Sequence, residues 1–144
     1  MVGRVQIRNV KRSYAKNYLN KARQFSTAMH TAIDVGDWDA AGLNAVHCGL
    51  SSNDALLVAM HGVRSSSPSH ADSIRLLDSL VEVKGVKSAS TQLQRLIAKK
   101  NLIEYEERLF KESEAREAVK NADRFLAWAI KALPPEFKQL SAKS

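Results

Sequence analysis

The sequence predicts an all-α fold, an up-and-down bundle of four to five helices. Three observations point to it. Only six Gly and three Pro punctuate 144 residues, apolar residues recur at helical spacing along most of the chain, and no stretch shows sustained strand-like alternation. A chain of this length is one domain and buries a core without metal or disulfide staples. The bundle is expected over residues 11–133, between a flexible basic N-terminus (1–10) and a frayed tail (134–144).

The first helix is predicted from Ser13 to Val35. Tyr14, Tyr18, Ala22, Phe25, Met29, Ala32 and Ile33 share one face, with Lys16, Lys21 and Arg23 on the other. Gly36 follows, where a glycine commonly ends a helix. Asp37 suits the N-cap of a second helix, over 38–63. The inner face of that helix is made mostly of small residues (Trp38, Ala41, Ala45, Ser52, Leu56, Ala59, Val63), which let neighbouring helices approach closely. A second stripe, Leu43, Leu50 and Leu57, leads to Arg64, with His47, Asp54 and His61 beside it. A helix with a core face and an extra leucine seam packs against two neighbours. The second neighbour is another helix of the chain or a partner subunit, and the polar residues on the seam favour the partner.

Pro68-Ser69 opens a third helix, with Ser69 as N-cap and Asp72 at the capping-box position. Ile74, Leu77, Leu80 and Val81 form its apolar face, and Gly85 ends it. A fourth helix, over 88–100, packs through Leu93, Leu96 and Ile97, and Asn101 closes it. A charged connector follows with Tyr105, Leu109 and Phe110, in which Tyr105 is expected to pack over the bundle. The last helix, over 114–133, carries Ala115, Val119, Ala122, Phe125, Leu126, Ala129 and Leu133 on one face, and Pro134-Pro135 stops it.

Net charge is +7, and its distribution says more than its total. Residues 1–33 carry Arg4, Arg8, Lys11, Arg12, Lys16, Lys21 and Arg23 with no acid, whereas 34–80 sets six Asp against Arg64 and Arg75. A basic N-terminal third fits a polyanion, with Lys11, Arg12 and Lys16 as candidate nucleic-acid contacts, and it also fits a solvated helix face. Cys48 is alone, so there is no disulfide framework and no thiolate metal site; a buried structural thiol is expected. The longest clean apolar run, Ala55 to Met60, falls far short of the roughly twenty residues that span a bilayer. The N-terminus, charged from Arg4 onward, has no signal-peptide core. A cytoplasmic location with no membrane contact is expected.

Several site types are absent from the sequence: no GxxxxGK[ST] phosphate loop, no GxGxxG, no HExxH and no Cys/His cluster. His47, Asp54 and His61 recur every seven residues, which on one helix puts them roughly 10 Å apart, too far to share an ion. No metal or other cofactor is expected. Arg64 and His70 remain, bracketing the segment Arg64-Ser-Ser-Ser-Pro-Ser-His70 at a helix junction. A permanent cation beside a group that titrates near neutrality suits a phosphodiester: guanidinium holds the phosphate and imidazole moves protons. The structural alternative puts Arg64 on the carbonyls at a helix end and His70 at the start of the next helix.

The order of pieces resembles a known family. A tyrosine-led basic helix precedes Gly-Asp-Trp-Asp-Ala-Ala (36–41) and a small-residue helix ending Ala-Leu-Leu-Val-Ala-Met-His-Gly-Val-Arg (55–64). Then come a His-led helix (69–72), Asn-Leu-Ile-Glu-Tyr (101–105) and Ser-Glu-Ala-Arg-Glu-Ala (113–118). Across residues 11–133 this is similar to the HEPN domain, the "higher eukaryotes and prokaryotes nucleotide-binding" bundle. The family's motif is Arg, four to six residues, then His, and Arg64 and His70 match it with five between.

The resemblance implies a metal-independent endoribonuclease in which two subunits' Arg–His pairs line one cleft, leaving 2′,3′-cyclic phosphate and 5′-hydroxyl ends. It implies a toxin–antitoxin or defence-system component, often paired with a minimal nucleotidyltransferase. Ser65 stands where catalytic members commonly have Asn, and Asp72 where some toxin members have a Tyr that accepts adenylate. Ser65, Asp54 and His61 are candidate supporting residues, by hydrogen bonding or by orienting the Arg–His pair. The rival reading is a noncatalytic module of the same fold that binds a nucleotide or a partner protein, such as an antitoxin or a nucleotidyltransferase.

Overall fold

The computed structural model describes residues 5–138. In chain order these are β1 (Ile7–Asn9), a 3-10 turn at Arg12–Tyr14, α1 (Ala15–Val35), α2 (Trp38–His61), β2 (Val63–Ser65), α3 (His70–Leu80), α4 (Val86–Tyr105), α5 (Glu112–Ala132) and the short α6 (Pro135–Lys138). The chain is a helical bundle, as the sequence predicts, with one small strand pair added.

The bundle is organised around α2, which packs against α1, α3, α4 and α5. Its small residues make that possible. A Cβ at Gly42 would lie 2.6 Å from the Phe110 ring, and one at Gly49 would lie 2.9 Å from the Leu96 side chain. The glycines are therefore notches that receive side chains from α4 and from the connector after it. Gly36, at φ 79°, ends α1 with its N–H on the carbonyls of Ala32 and Ile33, and the two-residue link folds α2 back along α1. Leu19, Met29, Leu56, Leu57, Leu77, Leu93, Leu96 and Phe125 are fully buried in the common core. Leu57 belongs to the seam read as a partner's docking face, yet its own chain encloses it completely. Neighbours within the chain cover most of that second face, and Leu43 and Leu50 stay only half-buried.

Several boundaries differ from the sequence reading, and four of them have a visible structural reason. The second helix stops at His61 rather than 63 because Gly62 turns left-handed at φ 64°. Val63–Ser65 then leaves as a strand, antiparallel to Ile7–Asn9, with Arg8 opposite Arg64 and Ile7 opposite Ser65. The arm expected to be flexible through residue 10 is thus a strand over Ile7–Asn9, extended by Val10 N–H to Gly62 O at 2.8 Å. Helix α3 ends at Leu80, where Val81 turns extended. Helix α4 runs on through Tyr105, because Leu102 and Ile103 continue its packing onto the core. In the connector Phe110 is buried while Tyr105 is 76% exposed, so the packing residue is Phe110 and not Tyr105. The Phe110 N–H donates to Asp39 Oδ1 at 3.0 Å, tying the connector to the start of α2. The tail expected to fray over 134–144 holds α6 at Pro135–Lys138, with Phe137 packed against the core, and the rest of it lies outside the described residues. Among the described residues no helix is long and apolar enough to cross a membrane.

Candidate functional site

The α2–α3 junction carries the candidate site. After the left-handed turn at Gly62, β2 returns Arg64 toward Asp54 of α2, and Arg64 Nη2 donates to Asp54 Oδ2 at 3.1 Å. The guanidinium carbon lies 5.4 Å from the centre of the Tyr18 ring, and the Lys21 ammonium lies 5.5 Å from the same ring. A carboxylate on one edge and an aromatic face together fix the plane of an arginine. The Arg64 Nε is buried without a protein partner, and about a third of the side chain (33%) stays exposed. Arg8 stands directly opposite Arg64 in the ladder, so both side chains leave the same face of the ribbon.

Asp54 is the counter-charge beneath these cations. It is 9% exposed, and its carboxyl lies above the usual value because burial pushes it up by more than Arg64, Lys21 and Arg8 pull it down.

The serine-rich junction is built by its own side chains. Ser67 N–H donates to Ser65 Oγ and Ser69 N–H to Ser67 Oγ, each at 3.1 Å, giving two successive serine turns. They deliver the chain to His70, the first residue of α3. His70 is half-buried, and burial lowers its pKa below the ordinary value of 6.5; Lys100 and His47 add to the effect and Glu104 opposes it. His47 is lowered as well, by burial first and then by Lys100, again against Glu104. The His47 ring stacks on Phe25, with centroids 5.2 Å apart. Lys100 and Glu104 pair one turn apart on α4. Burial and Lys100 thus favour the neutral form of both imidazoles, the form that accepts a proton.

The predicted residues separate here. Arg64 and Asp54 meet, and Ser65 shapes the loop between Arg64 and His70. His61 goes elsewhere: its Nε2 lies 2.7 Å from the Leu80 carbonyl oxygen, where it donates and ties the end of α2 to the end of α3. Arg12 donates to the Met60 carbonyl at 2.6 Å and so satisfies the C-terminus of α2, while Lys11 and Lys16 are exposed. The cations acting on the Arg64–Asp54 pair are Lys21 and Arg8 rather than Lys11, Arg12 and Lys16. His47, Asp54 and His61 engage Phe25, Arg64 and Leu80 respectively, and no group of three His, Cys, Asp or Glu among the described residues is placed to hold a metal ion.

Tyr18, Lys21, Arg8, Lys100 and Glu104 were not singled out by the sequence for this site. Tyr18 belongs to an apolar stripe and Lys21 to a polar face, while Arg8 reaches the site only through a strand pairing between distant segments. The seam pattern did set His47 on the same helix face as Asp54, and that was the one available signal.

Arg64 can hold an anionic oxygen with the edge that Asp54 leaves free, and a neutral His70 can take a proton from a hydroxyl. No family model, no curated protein and no solved structure matches this chain.

Proposed function

We propose that this protein is a HEPN-like endoribonuclease that cleaves RNA without a metal ion, at a cleft shared by two copies of the chain. One observation carries the reading. The segment of five residues between Arg64 and His70 begins after a guanidinium fixed by Asp54 and Tyr18 and ends before a half-buried imidazole whose neutral form burial favours.

The chemistry follows from those two groups. A neutral His70 removes the proton from a ribose 2′-hydroxyl, and the freed oxygen attacks the adjacent phosphorus. Arg64 holds the non-bridging oxygens as charge builds on them. The bond from phosphorus to the 5′-oxygen breaks, and that oxygen takes a proton from an imidazolium. The products are a 2′,3′-cyclic phosphate and a 5′-hydroxyl. The second copy supplies the other imidazole: one histidine enters neutral and acts as base, its counterpart enters protonated and acts as acid, and the proton gained by the first leaves the pair with the two roles exchanged. In a cell such an activity suits a toxin or defence protein restrained by an antitoxin or a nucleotidyltransferase partner.

The second reading is a noncatalytic module of the same fold that binds a nucleotide or a partner protein. It draws on the crowding of Arg8, Lys21 and Arg64 about Asp54, which suits holding an anion without turnover. Incubating the purified protein with end-labelled RNA in EDTA separates the two. Cleavage to cyclic-phosphate ends is expected, with Arg64→Ala and His70→Ala each losing about 100-fold or more in rate. Cleavage that survives both substitutions removes the site from these residues. RNA binding without cleavage by the parent supports the binding module.

A further inference from the structure

We infer that Arg8, Lys21 and Arg64 form a phosphate-binding subsite that holds the RNA backbone next to the bond being cut. It rests on the ribonuclease reading for the identity of the polyanion, since Arg64 serves both.

The case begins with an arrangement that folding alone does not favour. The strand pair is only three residues long on each side, yet it sets Arg8 directly opposite Arg64. Directly opposed residues have their Cβ atoms about 5 Å apart, and like charges at that spacing destabilise a ladder. Lys21 joins them from α1 across the Tyr18 ring that it shares with Arg64. Three cations thus surround Asp54, a single buried carboxylate already bonded to Arg64. Neither Arg8 nor Lys21 has an ion-pair partner among the described residues. Two positive charges are left uncompensated on one face, both exposed and both beside the guanidinium assigned to the scissile phosphate.

A phosphodiester backbone supplies the missing counter-charge. Its phosphates repeat along the chain, so one on Arg64 brings a neighbour within reach of Arg8 and Lys21. The contact is to backbone and carries no base preference. It therefore sets affinity and register on the strand rather than sequence choice.

Salt-dependent binding reads the number of phosphates engaged. A short fluorescein-labelled single-stranded RNA is titrated into a His70→Ala protein, which leaves the RNA intact, at a series of KCl concentrations. Adding Arg8→Gln or Lys21→Gln is expected to weaken binding several-fold and to flatten the slope of log K against log salt by about 0.7 each. Lys120→Gln, on α5, is expected to leave that slope unchanged. Thermal melting controls for folding, and Arg8→Gln is expected to melt no lower than its background because it removes a like-charge neighbour. Slopes unaltered by Arg8→Gln and Lys21→Gln overturn the subsite, as does an equal loss in Lys120→Gln or a parent that does not bind RNA. A parent that binds RNA through Arg8 and Lys21 but fails to cut it keeps the subsite and defeats the nuclease reading.

Discussion

In the proposed cleavage His70 acts as a base only while it is uncharged, and its surroundings decide the pH at which that ends. Burial first, then Lys100 and His47, disfavour the imidazolium, and Glu104 favours it. The folded pKa therefore lies below 6.5, and the acid limb of kcat/KM is expected below that pH. Lys100→Gln removes a cation that opposes protonation and frees Glu104 to act alone. Both changes raise the His70 pKa and move the limb to higher pH. Glu104→Gln removes the favourable carboxylate and leaves Lys100 unpaired, so the limb moves to lower pH. Superimposed pH–rate profiles for parent, Lys100→Gln and Glu104→Gln would remove His70 from the proton transfer. The sequence singled out Arg64 and His70 as a candidate pair because they bracket one contiguous segment. Their tuning groups were not legible, because Lys100 and Glu104 reach His70 only through the packing of α4 beside it.

At the level of elements, two glycines in α2 do different work. Gly42 is a notch for Phe110, so the Cβ of Gly42→Ala meets the ring at 2.6 Å and Ile103 at 2.9 Å. Overpacking of that kind costs about 1–3 kcal/mol, to be read from urea unfolding. Gly62 is a hinge: at φ 64° an alanine costs about 1–2 kcal/mol, and its Cβ would also press on the Val10 carbonyl at 3.3 Å. Gly62→Ala disturbs the start of β2 and with it the position of Arg64. Its cleavage rate is expected to fall well below that of Gly42→Ala at a temperature where both remain folded. Equal rates would mean that the turn does not position Arg64. The helices themselves were legible because amphipathic periodicity is a local property of each segment. Their ends were less so: α4 outruns its expected stop at 100 because Leu102 and Ile103 find core to pack on. The β1–β2 pair was not legible at all, since three-residue strands separated by α1 and α2 carry no local signature.

For the whole molecule the proposed cleavage raises the question of how a chain with one Arg64–His70 pair would supply both an acid and a base. Within the bundle α2 is largely enclosed, and Leu57 is fully buried by its own chain. What remains of the seam for a second copy is Leu43 and Leu50, both half-buried, with His47 between them and Asp54 just beyond. A two-fold contact centred there would bring two such faces together, and with them two Arg64–His70 pairs. Subunit mixing tests this directly. Arg64→Ala protein keeps His70, and His70→Ala protein keeps Arg64, so each homodimer lacks one half of the chemistry. If the cleft is shared, exchanging subunits between the two gives a heterodimer with one arginine and one histidine facing each other across the interface. Its cleavage rate is expected to exceed that of either variant alone and to stay below the parent's, because the second imidazole is missing. If each chain instead acts within itself, neither subunit of the mixture holds a complete pair, and mixing recovers nothing. Leu50→Arg, which places a charge on the contact while leaving the buried Leu57 in place, is expected to abolish the recovery and to give a monomer by light scattering. Recovery that persists in that monomer would refute the shared cleft.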